Sequence, residues 1–126
     1  MLNIPENLFY TSEHEWIKIE NDTAIIGITD FAQSELGDII FLELPDLDSV
    51  FNAGDIFGTI EAVKTVSDLY MPLDGKITEV NSVLSDNPEK VNEDPYDEGW
   101  IVKIIIDENA TKDQLLDSKK YNQLIT

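Results

Sequence analysis

GDIFGTIEAVKTVSDLYMPLDGKITEVN, residues 54–81, decides how this chain folds. An apolar run (Ile56, Phe57, Ile60) leads into Glu61-Ala62-Val63-Lys64, and a second run (Val66, Leu69, Tyr70, Met71) stops at Pro72. Strand-forming residues on both sides of a Val63-Lys64-Thr65 link predict a β-hairpin with a lysine at its tip. No Asn-Gly or Asp-Gly marks the turn. A lysine on a stiff tip projects its amine away from the fold, where a second protein can reach it. An ordinary solvated turn lysine satisfies the same local pattern, because exposed lysines are the rule.

Outward from this hairpin, the chain reads as many short strands. Trp16-Ile17-Lys18-Ile19-Glu20, the turn Asn21-Asp22 and Thr23-Ala24-Ile25-Ile26-Gly27-Ile28 form a first hairpin. Its second strand is apolar on both faces and should be buried. Asp30 with Gln33 three residues on is a capping-box pattern, and Gly37 supplies the stop of a short helix. Strands are expected at Ile39–Leu44, Gly75–Val80 and Trp100–Ile106. Residues 82–99, with Asn87-Pro88, Asp94-Pro95 and Gly99, form a long loop that should pack down. Thr111 with Gln114 predicts a second capped helix through Leu115 and Leu116, and Ser118 a further turn bearing Tyr121, Leu124 and Ile125. Gly-Asp-Ile occurs at 37–39 and again at 54–56, each time opening a strand. The class is all-β, a sandwich or small barrel.

Composition narrows the function. With 126 residues, one domain is expected. The eight basic residues are all lysine, against 26 acidic ones, for a net charge of −18. Such a surface repels nucleic acid and anionic membranes and favours partners with basic faces. There is no cysteine, hence no disulfide framework and no thiol nucleophile. Histidine occurs once, at His14, so a Cys/His zinc site has no ligand set. No run approaches transmembrane length and the N-terminus lacks signal-peptide features, so a cytoplasmic protein is expected. A triad would need His14 as its base and there is no nucleophile elbow, calcium loop or glycine-rich phosphate loop. On residues alone the chain is a non-catalytic β-scaffold that presents one lysine.

Glu61-Ala62-Val63-Lys64 followed by Ser67-Asp68, Pro72 and Gly75 resembles the lipoyl-attachment hairpin of the glycine cleavage system H proteins. The resemblance continues in order through Tyr10…His14-Glu15-Trp16, Gly27-Ile28-Thr29-Asp30…Ala32-Gln33, Leu36-Gly37-Asp38, Glu43-Leu44-Pro45, Glu79-Val80-Asn81 and Asn92…Pro95-Tyr96…Gly99-Trp100. Biotin carriers place methionines beside the lysine, where Val63 and Thr65 stand here. Departures are modest: Glu13 replaces a small residue, Leu47-Asp48-Ser49 lacks an expected glycine, and Ala62 stands where serine is usual.

The resemblance implies a lipoyl-domain-like barrel-sandwich hybrid with a short helix near 30–36 and short C-terminal helices. One domain would span 1–126, its lipoyl-binding core at about 22–104 and a C-terminal helical segment at about 110–126. It implies lipoate joined by an amide to Lys64. It further implies a carrier, not a catalyst, expected to be monomeric, that takes the aminomethyl group of glycine from a PLP-dependent glycine decarboxylase to a tetrahydrofolate-dependent aminomethyltransferase. An FAD- and NAD-dependent dihydrolipoamide dehydrogenase would then reoxidise the arm, and a lipoate-attaching enzyme would install it. By family position Glu15 and Asp68, with Glu13 as a local variation, are candidates for a pocket that pairs with the loaded arm. Glu61 and Asp68 flank the lysine and are also candidates for recognition by the lipoate-attaching enzyme. His14 and Trp16 read as structural, the indole packing on the first hairpin. Two alternatives stay open: an H-like carrier relaying lipoate to other complexes, and an unmodified acidic binding module.

Overall fold

The alternation of the first hairpin is realised directly in the computed structural model, which describes residues 2–126. Strand β2 (Glu15–Glu20) pairs with β3 (Thr23–Ile28) across a turn where Asn21 takes φ 57°. Short β1 (Phe9–Tyr10) edges this pair, and β9 (Val102–Ile106), β8 (Gly75–Val80) and β5 (Val50–Phe51) continue it. The result is a six-stranded antiparallel sheet in the order β1-β2-β3-β9-β8-β5. A second antiparallel sheet runs β4 (Ile39–Glu43), β6 (Ile56–Ala62), β7 (Val66–Tyr70). Two sheets around one core are the sandwich form of the expected architecture; they do not close into a continuous barrel.

Both Gly-Asp-Ile segments open strands as read. Gly37 (φ 79°) and Gly54 (φ 92°) each take left-handed backbone before β4 and β6, which is what the two glycines supply.

Ile17, Ile26, Ile60, Leu69, Met71, Ile77 and Ile104, from both sheets, form the main core. Residues 82–99 do pack down. They contain two single-turn helices, α2 (Val83–Asp86) and α3 (Lys90–Glu93), which insert Leu84 and Val91 into that core. Side-chain amides then hold the segment. Asn81 donates to the carbonyls of Glu98 and Trp100, and Asn92 to those of Gly37 and the Gln33 side chain. The Asn92 carbonyl oxygen accepts from the Ile39 N–H. Trp16 lies against Gly27, its cross-strand partner, and its indole N–H donates to the Pro95 carbonyl at 2.9 Å.

Three helix expectations are corrected. Helix α1 (Asp30–Leu36) is capped by Thr29, not Asp30: the Thr29 hydroxyl accepts from the Ala32 N–H while Asp30 already stands inside the helix and bonds the Gln33 side chain. Thr111–Leu116 is not helical. The Gln114 side chain is drawn to the Pro72 carbonyl, and Leu116 exchanges backbone hydrogen bonds with Tyr10. A single C-terminal helix, α4 (Ser118–Ile125), follows, with Asp117 rather than Ser118 as its cap.

A methyl group on Gly27 would stand 2.6 Å from the Trp16 ring, which its hydrogen bond to Pro95 prevents from yielding. We therefore expect Gly27→Ala to cost about 1–3 kcal/mol, the usual penalty of overpacking. Urea unfolding followed by Trp fluorescence measures it, and an unshifted midpoint would contradict this packing.

Candidate functional site

The tip of the β6–β7 hairpin is held by its backbone and open at its side chain. The Ala62 N–H donates to the Thr65 carbonyl at 2.7 Å, closing the connection of Val63, Lys64 and Thr65 between the two strands. The Val63 N–H donates to the Asp38 carbonyl at 3.0 Å, tying the tip to the chain that leaves α1. Neither Val63 nor Lys64 takes positive φ, so the turn needs no glycine or asparagine. Lys64 is exposed. Among the described residues the ion pairs use Lys18, Lys90 and Lys103, and Lys64 enters none of them. Its stem passes over Gly37, where an added methyl would be 3.5 Å from Cε and 3.9 Å from Nζ. The amine thus lies over the C-terminal end of α1, where unpaired carbonyls carry partial negative charge.

Beside that end lies a cleft of ≈ 200 Å³. Apolar lining comes from Ile28, Phe31, Leu36, Ile60 and Leu69; Glu13, Glu35 and Asp68 line it as exposed acids, Glu15 as a buried one, and His14 stands among them. No lysine lines it. The sequence reading named Glu13, Glu15 and Asp68 for a pocket, and the structure brings these three together. It does not bring Glu61 there: Glu61 is exposed, paired in register with Phe41 and Val66, and does not line the cleft. Glu35, Phe31 and Leu36 were missed as site residues. The signal available was the spacing of Phe31 and Glu35, one turn apart on a short helix and hence on one face.

Glu15 is the buried member, only 2% exposed. One carboxyl oxygen accepts from the Tyr70 N–H at 2.7 Å and the other from the Thr11 hydroxyl at 3.1 Å. The first bond ties the six-stranded sheet to β7, the edge strand of the other sheet. Burial is the dominant influence on its acidity: loss of water pushes the carboxyl from 4.5 up to about 8, against the opposing pull of the Tyr70 and Thr11 hydrogen bonds. His14 is pushed the other way, below its usual 6.5, chiefly by burial and against the attraction of Glu13 and Glu35. A neutral imidazole beside several carboxyls leaves a cleft suited to a small cation on an apolar stem. His14 therefore belongs to the cleft wall as well as to the framework, and it takes φ 68° at the turn between Glu13 and Glu15. Among the described residues no cluster of three His, Cys, Asp or Glu could hold a metal ion.

The family model for the glycine cleavage H-protein matches residues 8–126. The chain belongs to the glycine cleavage H-protein family. Glycine cleavage system H proteins from two strains of Staphylococcus epidermidis are 53% and 52% identical over 122 residues, 97% of each chain. The crystal structure of a glycine cleavage system H protein from Mycobacterium marinum superposes with a TM-score of 0.89 at 36% identity, covering 95% of this chain and 97% of that one. As an H protein the chain is a carrier component of the glycine cleavage system rather than a catalyst. No described helix of this H protein is long and apolar enough to cross a membrane.

The raised pKa of Glu15 couples folding to pH. A folded-state pKa above the unfolded value means the folded protein holds the proton more tightly. The associated stability is fully present below about 4.5 and is lost as pH rises towards about 8. Relative to Glu15→Gln, which keeps the neutral shape, the parent should lose up to about 1.4 kcal/mol per pH unit within that window. Denaturant midpoints of both proteins across a pH series test this, and a constant difference between them would rule it out.

Proposed function

We propose that Lys64 is the attachment point of lipoate and that this H protein carries the aminomethyl group of glycine on the resulting arm. Support comes from one observation above all: the exposed amine of a pinned hairpin tip lies against α1, next to a cleft lined by apolar side chains and carboxyls. These residues fit the group. Acylation removes the lysine charge and yields a long apolar chain, and the apolar lining of Phe31, Leu36 and Leu69 suits such a chain. When bound, lipoate supplies the thiol–disulfide chemistry that a cysteine-free protein lacks.

The protein's own residues then have three tasks. The tip holds Lys64 at a fixed place, so that each docked enzyme meets the arm at high effective concentration. The carboxyls of Glu13, Glu15 and Asp68 face the end of a folded-back arm and attract an ammonium, Glu15 becoming charged as it gains that partner. The apolar lining excludes water from cargo that water would hydrolyse. Glu61, outside the cleft on the exposed sheet face, suits recognition by the lipoate-attaching enzyme instead. The partners in this reading are the PLP-dependent glycine decarboxylase, the folate-dependent aminomethyltransferase and the flavin-dependent dihydrolipoamide dehydrogenase. The −18 charge favours basic docking faces on them.

Intact mass of the protein from lipoate-replete native cells should show one lipoyl adduct, and Lys64→Arg should lose it. Arginine keeps the charge without an ordinary acylable amine, so the variant should fold normally and carry no glycine-derived carbon. An unmodified native protein would instead support an acidic binding module. An adduct without any transfer in the presence of the decarboxylase and glycine would support relay to other lipoate-dependent complexes.

A further inference from the structure

Tyr121 lies outside the cleft, yet its hydroxyl reaches two of the supports on which the cleft stands. It is the buried residue of α4, its ring stacked on Tyr10 with centroids 4.7 Å apart and planes within 8°. Its oxygen is 2.7 Å from the Thr29 hydroxyl and 2.9 Å from His14 Nδ1. Thr29 caps α1, the helix that supplies Phe31, Ala32, Glu35 and Leu36 to the cleft. His14 sits in left-handed backbone between Glu13 and Glu15, with its ring 4.9 Å from that of Phe31. One phenol oxygen therefore bridges the start of one cleft wall and the turn of the other. Of the other apolar residues of α4, Ile125 packs partly against the same aromatic cluster and Leu124 is 50% exposed.

We propose that Tyr121 is a positioning residue for the arm cleft, its hydroxyl fixing the separation between the His14 turn and the start of α1. Glu13 and Glu15 on one wall then face Phe31 and Glu35 on the other at the spacing that retains an ammonium-bearing arm. This rests on the reading of the cleft as the arm's resting place. The physical reason is economy of constraint. Hydrogen bonds to Thr11 hold the backbone of the His14 turn at φ 68°, and the Tyr121 hydroxyl adds the contact that holds its ring. Thr29 already accepts from the Ala32 N–H. The Tyr121 oxygen joins both groups in two concerted arrangements: it donates to Nδ1 and accepts from the Thr29 hydroxyl, or it accepts from Nδ1–H and donates to Thr29. Tyr121→Phe keeps the ring on Tyr10 and removes that junction alone. The C-terminal helix thereby acts on cargo retention without touching the cargo.

The test uses the lipoylated parent, Tyr121→Phe and His14→Asn, the last because asparagine tolerates positive φ but lacks the imidazole bridge. Each is reduced and loaded with formaldehyde and ammonia, so that one thiol, one aldehyde and one amine condense with loss of water. The half-life of the aminomethyl group is then followed with no partner enzyme present, well below the melting transition. Both variants should shorten it by about two- to tenfold, the fold-change to which the loss of one hydrogen bond converts. The double variant should be no worse than the poorer single, because both break one junction. A second readout needs no cargo: in the unmodified protein, Tyr121→Phe should move the His14 ring nitrogen and the Phe31 and Glu35 amide resonances. If Tyr121→Phe lowers the melting temperature but leaves half-life and resonances unchanged, the residue is merely structural and the proposal falls. The mass spectrum of the parent separates the two readings. An adduct on Lys64 with an unaffected half-life overturns the role of Tyr121 alone, and a parent without the adduct overturns both.

Discussion

The hydrogen bond from the Val63 N–H to the Asp38 carbonyl is the constraint on which the rest depends. A hairpin between two short strands is only marginally stable by itself. Here β6 is the central strand of its sheet, and its last residues are tied to the segment leaving α1. The backbone of the tip is thereby held by two hydrogen bonds, neither of which uses the Lys64 side chain. A carrier needs a rigid place of attachment and a free amine, and those two demands conflict whenever the reactive side chain also serves as packing. With Lys64 as the proposed point of attachment, they are divided between backbone and side chain of neighbouring residues.

The same tie brings α1 beside the hairpin, and with it the cleft. Its carboxyls differ in kind. Glu13, Glu35 and Asp68 are exposed and well hydrated. Glu15 is buried, and it links the two sheets through the Tyr70 N–H. Removing a carboxylate from water is costly unless it is paired, so this group holds its proton well above the usual carboxylate range. In the proposed reading of the cleft, an arriving cation would supply the missing charge, and the cleft, neutral where it is driest, would accept positive charge more strongly as such charge enters.

How much of this was legible follows from the range of the interactions involved. Strands β2, β3, β6 and β7 were legible because alternation and turn residues are local and the core they face is common to all of them. The start of α1 was misplaced by one residue because Thr29 and Asp30 are both capping types. What separates them is backbone conformation, extended at Thr29 and already helical at Asp30. Thr111–Gln114 bears the same local signal as a capped helix, yet Tyr10 and Pro72 claim its backbone and side chain, and a distant pairing overrides a local preference. Resemblance pointed to Glu13, Glu15 and Asp68. It did not point to Glu35, whose place depends on which face α1 turns to the cleft, nor did it separate Glu61 from the pocket.

The sequence by itself determined a β-protein with a solitary lysine on a hairpin, an acidic surface and no thiol chemistry, because composition and two-residue periodicity are properties of the chain. Only the tertiary structure decided which of the 26 acidic residues gather around one cleft and which of them loses its water. Glu15 and Tyr70 are 55 residues apart, and Tyr121 meets Thr29 across 92. Burial and hydrogen bonding at such separations arise only when the two sheets close on each other and α4 docks beside the start of α1, and no local pattern records them.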